Sequence, residues 1–216
     1  MVTVGVVLQS PQEQGEDEMY LEGNQEWNQI HTDDLWVYNK LILSRKLSYT
    51  CGPVGTDVPK SDFYIVRPCM NLLGMGRFSR IEYIYKGTDN YHPAEFWCEI
   101  FEGNHISVDF YKKESKLVVL GTRDQYDPLY KWKKWEKVNY KVNFPSILNE
   151  LVGNYDWINC EFIGNNLIEV HFRQNPDFRY NNTEAIPVWD DFNHYISDDY
   201  HYIEDSDYLR KGFWIK

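Results

Sequence analysis

Apolar and polar residues alternate in short blocks through the middle of the chain. Phe63 to Val66 is an apolar run that stops at Pro68, and Arg80 to Tyr85 alternates up to Lys86-Gly87. Glu95 to Ile100 is a mixed run centred on Trp97 and Cys98; His105 to Tyr111 alternates cleanly; Leu117 to Leu120 is again apolar. Runs of this length with period two predict strands. Ile158–Ile163 and Leu167–Phe172, joined by Gly164-Asn165-Asn166, predict a hairpin with turn residues in place. Helical spacing is rarer. Trp36, Leu41, Ile42, Leu43 and Leu47 predict a helix over 36–47, with Asp33 or Asp34 as its N-cap and a break at Cys51-Gly52-Pro53. Pro145 followed by Ile147, Leu148 and Leu151 predicts a short helix over 144–151. Helix, many antiparallel strands, helix and hairpin make an α+β fold. Residues 1–34 read as an acidic lead-in, 35–180 as the folded domain, and 181–216 as an acidic, aromatic tail packed on it.

Composition bounds this picture. The chain has 216 residues, enough for one domain or two joined lobes. Its 36 aromatic residues (8 Trp, 17 Tyr, 11 Phe) exclude disorder of the whole chain. No apolar run is long enough for a membrane helix, and the amino terminus lacks the basic n-region of a secretory signal. Cys51, Cys69, Cys98 and Cys160 show no paired spacing, so they read as free thiols of a reducing, cytoplasmic compartment. Asn181-Asn182-Thr183 matches a glycosylation acceptor and reads as a chance match.

The net charge of −11 is uneven. Residues 1–39 and 180–209 hold no Lys or Arg, whereas 112–141 carry nine basic residues against four acids. Acidic ends speak against duplex nucleic acid as a partner. Lys131-Trp132-Lys133-Lys134-Trp135-Glu136-Lys137 interleaves bases with aromatics, as single-strand binders do. The same alternation also makes an amphipathic strand with snorkelling lysines.

Three constellations could carry chemistry. Glu169, His171 and Arg173 are two apart on the second hairpin strand and therefore share a face, with Glu161 opposite. Two carboxylates suit a hard divalent cation that keeps phosphate or water oxygens, and the adjacent guanidinium suits phosphate. An ordinary half-solvated strand would show the same alternation. Val66-Arg67-Pro68 followed by Gly74-Met75-Gly76 places a cation at a strand end before a glycine turn. Glu95 to Gly103 is an apolar strand flanked by carboxylates. His194 and His201, with Asp198 and Asp199 between them, form a looser set that reads as a solvated tail.

Taken in order, Lys40, Arg67, the glycine turn, Glu99, Gly103, Ser107, Glu161, Glu169 and Arg173 resemble the ATP-grasp superfamily over residues 35–175. The resemblance implies an ATP-grasp-like fold of antiparallel sheets in two small lobes. It implies ATP and Mg²⁺ as cofactors and a ligase that activates a carboxylate as an acylphosphate for an amine or similar acceptor. Lys40 and Arg67 would contact nucleotide phosphates, with Gly74 and Gly76 in the loop above them. Trp97, Glu99 and Phe101 would form the hinge facing adenine, and His105 would lie at the ribose. Glu161, Glu169 and His171 would hold the metal, and Arg173, with Arg67, would act on the transferred group. The resemblance departs at Arg67 (commonly Lys), at His171 (commonly Asn) and in the missing preceding domain. A reduced scaffold or a partner chain would then bind the small-molecule or peptide carboxylate, or the activity is lost. The alternatives are a non-catalytic binding module and a single-stranded nucleic-acid binder.

Overall fold

The computed structural model describes residues 29–70, 76–87, 92, 94–124, 128–189, 196–205 and 210–216. Two antiparallel sheets dominate it. The smaller has the order β1-β4-β2-β3, from β1 (Cys51–Pro53), β2 (Asp62–Pro68), β3 (Arg80–Ile84) and β4 (Glu95–Cys98). The larger has the order β11 (His201–Glu204), β12 (Gly212–Ile215), β10 (Glu184–Val188), β7 (Lys134–Lys137), then β6, β5, β8 and β9. Its central strands are β5 (His105–Tyr111), β6 (Glu114–Thr122), β8 (Trp157–Ile163) and β9 (Asn166–His171). The α+β reading holds, with few helices and mainly antiparallel sheets.

The predicted helix over 36–47 is two elements. A 3₁₀ helix covers Thr32–Tyr38, and helix α1 covers Lys40–Lys46. The break is at Asn39, which is extended and whose side chain accepts from Ile42 N at 3.1 Å. His31, rather than Asp33 or Asp34, caps the first element. Asp34 instead accepts from Tyr155 Oη and Asn154 Nδ2. The second predicted helix is a 3₁₀ turn over Ser146–Leu151.

Val37, Leu43, Val108, Phe110, Leu148, Ile158 and Val170 form the main core, on one face of β5, β8 and β9. The smaller sheet has its own core of Val58, Tyr64, Val66, Ile84 and Trp97. The region after 181 does more than pack on the domain. It supplies β10 (Glu184–Val188), β11 (His201–Glu204) and β12 (Gly212–Ile215), and β10 extends the larger sheet from β7 (Lys134–Lys137). Arg210 anchors this region, bridging Asp177 and Asp205 at 2.6 Å each.

Residues 131–137 are an amphipathic strand with its approach. Trp132 and Trp135 pack inward, on Gly121 and His105, while Lys133 pairs with Asp124 and Lys134 with Glu136. Among the described residues no helix is long and apolar enough to cross a membrane.

Segment 99–104 joins the two sheets, and the β8–β9 turn pins it. Gly103 (φ +119°) passes so close that a Cβ there would meet Gly164 Cα at 2.8 Å. Gly164 N donates to Asn104 O at 2.9 Å.

Candidate functional site

The sequence places polar side chains on one face of three neighbouring strands. Alternation puts His105, Ser107 and Asp109 of β5 on that face, with Asn159 and Glu161 of β8 and Glu169 and His171 of β9. Register aligns them: Ser107 is opposite Glu161, Asp109 opposite Asn159, Glu161 opposite Glu169 and Asn159 opposite His171. The predicted juxtaposition of Glu161 with Glu169 is therefore present.

Two cations from elsewhere close on this face. Lys40 opens α1, and its backbone N–H donates to Cys69 O at 2.7 Å, which ties α1 to the end of β2. Its Nζ reaches Glu169 Oε2 at 3.0 Å, with side-chain exposures of 4% and 12%. Arg67, on β2, is buried and donates from Nη2 to Ile168 O at 3.3 Å, while its Nε has no hydrogen-bond partner among the described residues. Glu169 is also held by His171, Nε2 to Oε1 at 3.1 Å. Glu161 pairs with His105 at 2.9 Å.

Burial pushes the Glu169 carboxyl up, but Lys40, His171 and Arg67 together outweigh it and hold the group well below the usual range. Burial lowers both the Lys40 amine and the Arg67 guanidinium; Glu169 offsets part of that for each.

Beside this cluster lies a second polar network. Asn159 Nδ2 donates to Ser107 Oγ (2.8 Å) and Asp109 Oδ1 (2.7 Å), and Asn175 N donates to both Asp109 oxygens at 3.0 Å. Burial pushes Asp109 up to about 6, against the pull of these donors and of Arg173 and His171. Arg173 follows β9 and donates from Nη1 to Gln174 O at 3.0 Å.

The Trp97 ring lies in the smaller sheet's own core, on the face opposite Arg67, with Nε1 donating to Thr56 O. Glu99 Oε1 accepts from Thr50 N at 2.7 Å. Phe101 packs edge-on against Tyr49 at 4.6 Å. Alternation brings Cys98 and Phe96 onto the Arg67 face, and Arg67 lies 5.2 Å from the Phe96 ring centroid. Asp109 and Asn159 also line the site; they carry no motif in the sequence, but the period-two rule applied to β5 and β8 places them there. Gly76 is in a turn with φ +66°, and Gly74 lies outside the described residues, as does His194.

A groove of about 660 Å³ runs beside the inter-sheet segment, lined by Thr50, Pro59, Phe63, Glu99, Ile100 and Glu102. A second cavity of about 180 Å³ touches Asp109, Trp157 and Asn175. Neither is lined by Lys40, Arg67, Glu161 or Glu169.

Among the described residues no three His, Cys, Asp or Glu side chains form a metal cage. A magnesium nucleotide does not need one: one or two carboxylates suffice, with phosphate and water oxygens completing the octahedron. Glu161 and Glu169 fit that requirement. His171 fits less well as a ligand, because its Nε2 is turned to Glu169 and imidazole suits softer metals.

No family model matches the sequence, and no curated protein matches it. Several solved structures are similar, two of which are ATP-grasp proteins. One is a protein described as an ATP-grasp superfamily member from Archaeoglobus fulgidus, at 12% identity over 68% of this chain and 50% of that chain, with a TM-score of 0.40. The other is the ATP-grasp ligase PsnB complexed with minimal precursor, at 12% identity over 65% and 52%, with a TM-score of 0.33. The chain spans about half the length of the structures it matches.

Proposed function

We propose that the chain binds ATP with Mg²⁺ between its two sheets and is a ligase that activates a carboxylate. The observation that carries this reading is the convergence of two buried cations, Lys40 and Arg67, on the Glu161–Glu169 face, with one Arg67 donor unpartnered among the described residues. In this account Glu169 occupies, for Lys40, the place that a phosphate takes. Parting of the sheets frees Lys40 and Arg67 for the phosphates and the carboxylates for the metal. When bound, the metal neutralises charge on the β- and γ-phosphates.

Lys40 and Arg67 then orient the nucleotide, and Arg173 faces the transferred group. His171 acts as a positioning residue, keeping Glu169 directed toward the metal. Backbone of 97–101 and the Glu99–Ile100 groove accommodate the base, with His105 toward the ribose. A substrate carboxylate oxygen, from a small molecule or peptide, attacks the γ-phosphorus and ADP leaves. An amine then attacks the acyl carbon of the acylphosphate; phosphate leaves and the amine gives up a proton.

Titration calorimetry with ATP, ADP and AMP, on wild type and Arg67→Met, tests this. Loss of a charge-assisted hydrogen-bond donor costs roughly 1.5–3 kcal/mol, so ATP affinity falls about 10- to 150-fold. AMP affinity changes much less. Equal ATP affinity in both proteins, or none in wild type, would overturn the reading.

One observation favours a second reading, a non-catalytic docking module. Phe63, Ile81 and Tyr83 stand exposed on the Arg67 face of the smaller sheet. That reading expects no nucleotide affinity.

A further inference from the structure

Cys51 and Cys98 are directly opposite each other on β1 and β4. The ladder bonds on either side fix the kind of pair they make. Glu99 N donates to Thr50 O, and Val54 N donates to Glu95 O. Thr50/Glu99 and Val54/Glu95 are therefore hydrogen-bonded positions, and by alternation Cys51/Cys98 is a non-hydrogen-bonded position. Residues so placed have Cα atoms about 4.5 Å apart with side chains on one face, inside the roughly 4.4–6.8 Å window that a disulfide spans. Both thiols are free. Cys98 is fully buried, whereas Cys51 is half-buried and within reach of a small reagent. The other two thiols lack such a partner: Cys69 follows β2, and Cys160 is in the core of the larger sheet, opposite Val108 and Val170.

We infer that Cys51 and Cys98 form a redox modification site that takes up a cross-strand disulfide from a low-molecular-weight disulfide such as oxidised glutathione. The Cys51 thiolate attacks one sulfur of the reagent and displaces a thiolate. The Cys98 thiolate then attacks Cys51 Sγ and displaces the second. Two protons leave the protein thiols, two electrons pass to the external disulfide, and two small thiols are released.

Burial pushes Cys98 up to about 12 and raises Cys51, while Arg67 on the same face draws each back. The thiols therefore stay reduced in brief exposure at neutral pH, and the exchange quickens as pH rises. Once formed, the bridge fixes β1, only three residues long and packed against α1, to the strand that leads into the inter-sheet segment. This inference stands without the nucleotide reading, since it uses only the strand register and the burial of two thiols.

The test is incubation of the full chain with oxidised glutathione at pH 7 and pH 9, followed by thiol counting after denaturation and by peptide mapping. The expected result is a fall from four free thiols to two and a mapped Cys51–Cys98 peptide, faster at pH 9. The oxidised form melts on the order of 10 °C higher. Cys69→Ser gives the same link, and Cys51→Ser abolishes it. A glutathione adduct that persists on Cys51, a link through Cys69 or Cys160, or four remaining thiols in wild type would overturn the inference.

Discussion

Replacing Glu169 by Gln, and Lys40 by Met, singly and together, probes the contact on which the candidate site is built. The two charges meet at 3.0 Å with almost no solvent access, so the small values typical of surface pairs do not apply. Unit charges about 4 Å apart attract by roughly 4 kcal/mol at an effective dielectric of 20. Removing one member of a buried pair leaves the other uncompensated and costs about 3–5 kcal/mol. In Glu169→Gln the cost is sharpened, because Lys40 and Arg67 are then two buried cations facing a neutral amide. In Lys40→Met, Glu169 keeps His171 and the influence of Arg67, so its loss is toward the low end. The double variant loses both charges at once and should be less destabilised than the sum of the singles by at least ~2 kcal/mol.

Urea unfolding of the four proteins at pH 7 gives the cycle. Acid adds a check of sign. The folded Glu169 carboxyl lies below its ordinary value, so its contribution is fully present above about pH 4.3 and is lost as pH falls through the folded value. Wild type should therefore approach Glu169→Gln in stability below about pH 4. Single variants costing under 1 kcal/mol, or a coupling near zero, would refute the reasoning.

Asp109 has the opposite sign. Its folded carboxyl is raised to about 6, so its favourable contribution is present below about pH 3.9 and lost as pH rises through 6. The shift corresponds to ~3 kcal/mol, and Asp109→Asn should gain on wild type by about that amount between pH 4 and pH 7.5; parallel stability curves would contradict this. Gly103→Ala forces a Cβ against Gly164 at a positive φ and should lower the melting temperature by several degrees, whereas Gly153→Ala, with open space at the added carbon, should leave it nearly unchanged. Arg210→Met strips a buried cation from Asp177 and Asp205 and should cost about 3–5 kcal/mol in chemical unfolding; a loss below 1 kcal/mol would show that the anchor is dispensable.

The strands whose period is two over five or more residues, His105–Tyr111 and the 157–171 hairpin, were legible because one face is core and the other polar. From them the shared face of Glu161 and Glu169 followed directly. Apolar spacing continues across Asn39 and so predicts a single helix over 36–47; the break comes from the Asn39 side chain, which caps α1 and competes with the backbone there. Residues 181–216 concealed three strands. β10 carries Pro187 and β12 is only four residues long, so period and propensity were both weak. The Lys40–Glu169 contact joins residues far apart in sequence through packing of α1 on β9, which no local pattern encodes. The resemblance implies Trp97 in the hinge facing adenine; alternation from Arg67 through its partner Phe96 puts Cys98 on the Arg67 face and Trp97 on the other.

The central claim is that this chain holds ATP with Mg²⁺, and a thermal-shift titration of wild type tests it most directly. ATP and Mg²⁺ at about 100 times the dissociation constant should stabilise by roughly 2.7 kcal/mol, a rise of about 5–10 °C, and chelation of the metal should remove most of it. An unchanged melting temperature across ATP, ADP and GTP, with and without Mg²⁺, would contradict the account.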